Sequence, residues 1–114
     1  MSKPGSIPAA EALRLVDLIA PIPHGIGSRV LAKTAGGSVT LFAFDAGEGL
    51  SEHTAPLEAL VIVLNGSLTL TIGGQAVQAA PGTIVRMPAH VPHAVDATAA
   101  SGMLLIMLRE PAAA

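Results

Sequence analysis

Cysteine is absent from this chain, which excludes disulfides and thiolate sites. Tryptophan and tyrosine are absent too, leaving Phe42 and Phe44 as the only phenylalanine, tyrosine or tryptophan rings. A single-strand nucleic-acid surface built on stacking needs more rings than that. Charge is sparse: 12% of residues are Asp, Glu, Lys or Arg, and the net charge is −2. The basic residues Lys3, Arg14, Arg29, Lys33, Arg86 and Arg109 are scattered along the sequence. No concentrated cationic face is expected, so nucleic acid is excluded as a partner. No apolar run reaches the roughly 20 residues that a membrane-spanning helix needs, so no membrane partner is expected. Glu11, Arg14 and Asp17 interrupt the one early apolar segment, so no secretory leader is expected either. A cytoplasmic protein is the resulting expectation.

What the sequence does have is aliphatic bulk. Hydrophobic residues make up 51% of its 114 positions, enough for one domain with a large core of Val, Leu, Ile, Met and Ala. So few charges leave much apolar surface either exposed or buried in a partner, which predicts a homodimer.

The chain divides into an N-terminal arm with a short helix or strand over 1–27, a barrel over 28–108 and a tail over 109–114. Met1–Ala10 mixes Pro, Gly, Ser and Ala and reads as a mobile arm. In Glu11–Ala20, Leu13, Val16 and Ile19 recur every third residue, which suits one or two helical turns, although a strand fits too. Pro21 and Pro23 end it. Strands are expected at Ser28–Thr34 and Val39–Asp45, joined at Gly36-Gly37 as a hairpin. Arg29, Leu31 and Lys33 would share one face of the first.

Leu60–Leu64 is apolar throughout, as in a strand covered on both faces. Asn65-Gly66 is the strongest hairpin signal in the chain, leading into the alternating Leu68–Ile72. Gly73-Gly74 turns into Gln75–Ala79, and Pro81-Gly82 turns into Thr83–Met87. A loop over Pro88–Pro92 precedes strands at His93–Ala97 and Met103–Leu108; the tail Arg109–Ala114 reads as disordered. Short strands with Gly and Pro turns every 8 to 12 residues or so indicate an all-β sandwich or barrel and exclude an open parallel sheet.

Two stretches carry the chemical signal. Gly47, five residues, His53 and then Gly66 form one pattern; Gly82, five residues, Pro88 and His93 form the other. Together they resemble the two motifs of the cupin family, G-x5-H-x-H-x3,4-E-x6-G and G-x5-P-x-G-x2-H-x3-N, over about Val39–Leu108. The resemblance implies an all-β fold, the double-stranded β-helix or jelly-roll barrel. It also implies an interior site where two histidines and a glutamate of the first motif and one histidine of the second hold a divalent metal. His53 and His93 match two of those ligands. The other two positions hold Ala55 and Ala59, and His90 and Ala97 replace the second motif's last glycine and asparagine. Residues two apart on a strand share a face, so H-x-H would set two imidazoles side by side; Ala55 breaks that pair. A transition metal usually needs three or four protein ligands.

Substitute ligands or mouth residues are sought in Glu58, one position before the family's glutamate, and in His90 and His24; Met87 is a further pocket candidate. A one-residue offset should turn Glu58 to the opposite face unless Pro56 makes the backbone irregular. Glu52 should point away from His53 for the same reason. Met87, Met103 and Met107 can line a pocket or fill the core. Arg86 can meet an anion, pair across an interface or lie along the surface.

These readings converge on a small cupin that binds a small molecule inside the barrel, with an incomplete metal site at His53 and His93. Its cofactor is either one divalent transition metal (iron, manganese, nickel, copper or zinc) or none. The alternatives are a metal-dependent enzyme of dioxygenase or isomerase type with substitute ligands, and a non-catalytic, metal-free dimeric cupin.

Overall fold

Aliphatic and β-branched runs cut by Gly and Pro turns give nine strands. The computed structural model describes residues 6–110. The strands are β1 (Ile26–Thr34), β2 (Gly37–Phe44), β3 (Gly49–His53), β4 (Glu58–Asn65), β5 (Leu68–Ile72), β6 (Gln75–Ala79), β7 (Ile84–Met87), β8 (His93–Ala97) and β9 (Ser101–Leu108). They form a five-stranded sheet ordered β1-β2-β9-β4-β7 and a four-stranded sheet ordered β3-β8-β5-β6. All the pairings are antiparallel. This is the all-β jelly-roll barrel that the turn spacing and motifs imply. No helix among the described residues is long and apolar enough to cross a membrane.

The core lies between the inner faces of the two sheets. Ala59, Val61 and Val63 of β4, Leu68 and Leu70 of β5, Val95 and Ala97 of β8 and Met103 of β9 are buried there together with Phe44 and Met87. Phe42 and Phe44 stack on one another, with ring centroids 5.9 Å apart. Strict alternation along β4 sends every second side chain inward. Leu60, Ile62 and Leu64 therefore lie on its outer face and are only half-buried. The expectation that Leu60–Leu64 is covered on both sides holds for the inner face alone within one chain.

Four local expectations change. Glu11–Ala20 contains only one 3-10 turn, Leu15–Asp17, with no side-chain cap at Arg14; so short a segment cannot repay the cost of nucleating a helix. The first strand starts at Ile26, and a register shift between Val30 and Ala32 separates Leu31, which is buried, from the exposed Arg29 and Lys33. Gly49–His53 is a strand that the sequence reading missed. Asn65-Gly66 is no hairpin: β4 and β5 belong to different sheets, so the turn is the corner where the chain crosses between them. Gly66 has φ +81°, and a Cβ there would collide with Ser101 Oγ and the Ala100 carbonyl. The corner thus needs glycine both for its backbone angle and for the close approach of the 100–101 backbone. Ser101 Oγ then accepts the Ser67 N–H at 2.9 Å.

The mobile arm over Met1–Ala10 and the disordered tail over Arg109–Ala114 fall partly outside the described residues. Within them, the Ile7 N–H donates to the Leu31 carbonyl at 2.9 Å, and the Arg109 N–H to the Gly36 carbonyl at 2.8 Å.

Candidate functional site

β3 is an edge strand paired with β8, and its irregularity makes the site. Gly49 faces Asp96 and Leu50 faces Val95, but the register then shifts so that His53 faces His93. Without that shift a regular ladder would set Glu52 opposite His93. A one-residue slip reverses which side chains point inward. The bulge therefore brings an imidazole, in place of a carboxylate, onto the inner face next to His93.

The two rings meet edge to face, with centroids 4.3 Å apart and planes at 69°. Their Nε2 atoms are 3.1 Å apart. Each Nδ1 faces a backbone carbonyl: Ser51 O at 2.9 Å for His53 and Val91 O at 3.2 Å for His93. A carbonyl only accepts, so Nδ1 carries the hydrogen in both rings and both Nε2 atoms present lone pairs to each other when the rings are neutral. Two facing lone pairs at that distance need something positive between or beside them: a shared proton, a donor group or a cation.

The pair closes one end of a cavity of about 220 Å³. The four-stranded sheet contributes Leu50, His53, His93 and Val95 to its wall. Phe42, Ala59, Met87, Met103, Leu105 and Met107 of the five-stranded sheet face them, and Ala55 and Leu57 of the β3–β4 connection complete the lining. The two family ligand positions that hold alanine thus sit on the wall as methyl groups. His93 is 7% exposed and Met87 2%. His53 remains accessible at the barrel's edge.

The other sequence candidates lie outside this cavity. Ala59 points in, so Glu58, its neighbour on β4, points out. Its carboxylate pairs with Arg86 and accepts the Ala89 N–H at 3.2 Å. The Ala89 N–H, and after it Arg86, holds the Glu58 pKa below its usual value. The backbone irregularity that would have re-aimed Glu58 is absent, because β4 is already regular at that residue, which faces Leu108 in register. His90 is exposed with φ +66°, and its backbone N–H donates to the Ala55 carbonyl at 2.8 Å, tying the loop to the cavity wall without sending the imidazole inside. His24 is likewise exposed, at φ +58°, and its N–H donates to Asp45 Oδ2 at 2.7 Å. That bond, with the Ala46 N–H, lowers the Asp45 pKa. Arg86 neither lines the cavity nor needs an anion, since Glu58 answers it.

Phe42, Leu50 and Leu57 complete the wall but carry no chemical signal in the sequence. The alternation of β2 marks the face of Phe42; Leu50 follows no alternation that the bulged segment preserves. A larger hollow of about 430 Å³ lies between the 3-10 turn and the outer face of the five-stranded sheet. It is lined by Leu15, Val16, Ile19 and Leu41, with Asn65 and Ser101 as its polar side chains and no titratable group. The smaller cavity, with two convergent imidazoles on an apolar wall, is therefore the candidate site.

Comparison with known proteins agrees with this fold. The cupin-domain family model matches residues 40–108. A conserved protein of unknown function from Streptococcus pyogenes is 31% identical, with 98% of each chain covered and a TM-score of 0.90. A cupin superfamily protein from Desulfitobacterium hafniense is 28% identical, with 96% of this chain and 100% of that one covered and a TM-score of 0.86. A cupin 2 conserved barrel domain protein from Leptotrichia buccalis is 32% identical over 85% of this chain and 47% of that one, with a TM-score of 0.81. No match was found among curated proteins. With most of its barrel matched by the family model and a full-length relative above 30% identity, the chain belongs to the cupin family.

Proposed function

We propose that the protein binds a small molecule inside the barrel: an apolar body with a single O–H or N–H donor that meets His53 and His93. The observation that carries this reading is the pair of Nε2 atoms facing each other 3.1 Å apart at the end of an otherwise apolar cavity. Both imidazoles have their Nδ1 hydrogens committed to carbonyls, so each Nε2 is left as an acceptor. A donor placed there satisfies two lone pairs at once. Leaving a polar group unmet in such surroundings costs about 1–3 kcal/mol, which favours a ligand that brings a donor over one that does not. A cavity of 150 Å³ is enough for benzene in another protein, so about 220 Å³ suits a body somewhat larger than one ring. A donor held against Nε2 shares its proton with an imidazole, the arrangement that general acid–base chemistry uses.

The donor set does not fit the family's four-ligand divalent centre. Two of the four positions are methyl groups, and among the described residues no group of three or more His, Cys, Asp and Glu side chains converges.

Phenol, anisole and toluene test the reading, because only phenol brings a donor. Titrated into metal-free protein and followed by the NMR signals of the imidazole rings, phenol should bind more tightly than the other two. The preference should vanish in His53→Ala/His93→Ala. Equal affinity for phenol and toluene, or no binding of any of them, would refute it.

A further inference from the structure

We propose that Glu58, on the outer face of β4, is a positioning residue for the cavity: acting through the 88–92 loop, it keeps the Nδ1 hydrogen of His93 on the Val91 carbonyl and so leaves Nε2 open to a ligand. The inference rests on the proposed role of the imidazole pair and names the residue that keeps that pair receptive.

Three observations support it. The first is a break in the ladder. β4 and β7 pair in register from Ile62 opposite Ile84 to Ala59 opposite Met87. The next pair would set Glu58 opposite Pro88, and proline has no N–H to continue the ladder. The Glu58 side chain bridges the break instead. One carboxylate oxygen pairs with Arg86, before the proline, and the other accepts the Ala89 N–H, after it, at 3.2 Å.

The second is what the loop does from there. It carries the chain from β7 in one sheet to β8 in the other. The His90 N–H donates to the Ala55 carbonyl at 2.8 Å, the Val91 N–H to the Pro88 carbonyl at 3.4 Å, and the Gly73 N–H to the Pro92 carbonyl at 2.8 Å. Between these ties His90 holds φ +66°, at the position where the second motif has glycine. A residue with a side chain keeps such a backbone angle only where its surroundings enforce it. The bond from Ala89 to Glu58 is the first of those constraints. Val91 follows His90, and its carbonyl oxygen faces His93 Nδ1 at 3.2 Å.

The third is what His93 would do without that carbonyl. The bond made by one ring nitrogen decides which nitrogen carries the hydrogen. With the Val91 carbonyl withdrawn, the hydrogen can sit on Nε2 and be donated to His53 Nε2, 3.1 Å away. The pair would then satisfy itself, and neither Nε2 would remain as an acceptor for a ligand. The Val91 carbonyl thus decides between a closed pair and an open one, and Glu58 holds the loop that presents it.

The test follows the imidazole rings of metal-free, isotope-labelled protein by long-range proton–nitrogen NMR, at a pH where both rings are neutral. The wild type should show His93 with its hydrogen on Nδ1. In Glu58→Ala the hydrogen should move toward Nε2, and the preference for phenol over toluene should fall roughly threefold or more. Glu58→Gln keeps an oxygen for the Ala89 N–H and should restore both readouts. Glu58 lies outside the core, and the amide spectrum of each variant reports on its fold. An unmoved tautomer in Glu58→Ala, a Glu58→Gln that behaves like Glu58→Ala, or a wild-type His93 with its hydrogen on Nε2 overturns the inference. The tautomer is read without ligand. A moved tautomer beside a wild type that binds no phenol therefore removes the ligand reading alone, whereas an unmoved tautomer beside an intact phenol preference removes this inference alone.

Discussion

The two walls of the cavity have had different fates on the same fold. The four-stranded sheet keeps two polar groups, His53 and His93, at the spot where its edge strand bulges. The five-stranded sheet presents Ala59, Met87, Met103 and Met107, none of which carries a charge or a strong hydrogen-bonding group. One wall can bind through lone pairs; the other offers apolar contact. The contrast extends to structure. The five-stranded wall is continuous with the core, with Met103 fully buried and Met87 nearly so. The imidazole wall ends at an edge strand where His53 reaches solvent. Stability should therefore depend mainly on the first wall and binding mainly on the second.

Substitutions can break that division. Val61 is 0% exposed on β4, and Val61→Asp would bury a charge with no partner, at a cost of several kcal/mol. Circular dichroism should show an unfolded chain; a normal melt would mean that β4 does not line the core. Met103→Ala opens a void in a site with 0% exposure and should cost about 2–5 kcal/mol in a denaturant melt. His53→Ala, at the accessible edge, should cost less than about 1 kcal/mol and yet reduce the preference for phenol over toluene. If the histidine change proved the more destabilising of the two, the division of labour would be wrong.

A subtler variant tests the bulge. Exchanging the neighbours, Glu52→His with His53→Glu, keeps composition and net charge but moves the imidazole to the position facing away from His93. The fold should persist and the preference for phenol over toluene should fall, because the carboxylate now facing His93 pairs with its ring. An unchanged preference, with contact between the new imidazole at position 52 and the His93 ring seen by NMR, would show that the strand shifts its register to follow the imidazole.

The smallest effect lies on the outside of the same sheet. The Ala89 N–H and Arg86 depress the Glu58 pKa below 4.5. A carboxyl whose folded-state value is depressed stabilises the fold above the unfolded value, and this contribution fades as pH falls through the lower folded value. Glu58→Gln should thus lower the melting temperature slightly at pH 7, and the gap from wild type should close in acid below about pH 4. The pair is solvent-exposed, so the effect is small. A gap that widens in acid would contradict the assignment.

Much of this was legible in the sequence. The motif spacings located His53 and His93, and the glycine pairs at 36–37 and 73–74 marked true hairpins. The outward turn of Glu58 followed from the period of two along a strand. What stayed hidden depends on long-range pairing. Asn65-Gly66 has the chemistry of a hairpin, but the choice between hairpin and corner belongs to the strands on either side, and β9 takes the place beside β4 that β5 would have had. The segment Gly-Leu-Ser-Glu-His shows no alternation because it contains the bulge, so it did not read as a strand. The motif match, and no alternation, was what put His53 rather than Glu52 on the inner face with His93. The methionines were visible as residues, but only the stacking of β7 and β9 against β3 and β8 sets three of them around one cavity.

This barrel keeps the family's frame for a metal centre and differs from it by two methyl groups, Ala55 and Ala59. Mn(II) binding to the wild type and to Ala55→His/Ala59→Glu, followed by calorimetry on metal-stripped protein, puts that difference to the test. The wild type should retain no Mn(II) and the variant should retain it near-stoichiometrically, because the new imidazole and carboxylate join His53 and His93 on the cavity wall. Tight Mn(II) binding by the wild type, or a folded variant that binds none, would contradict it.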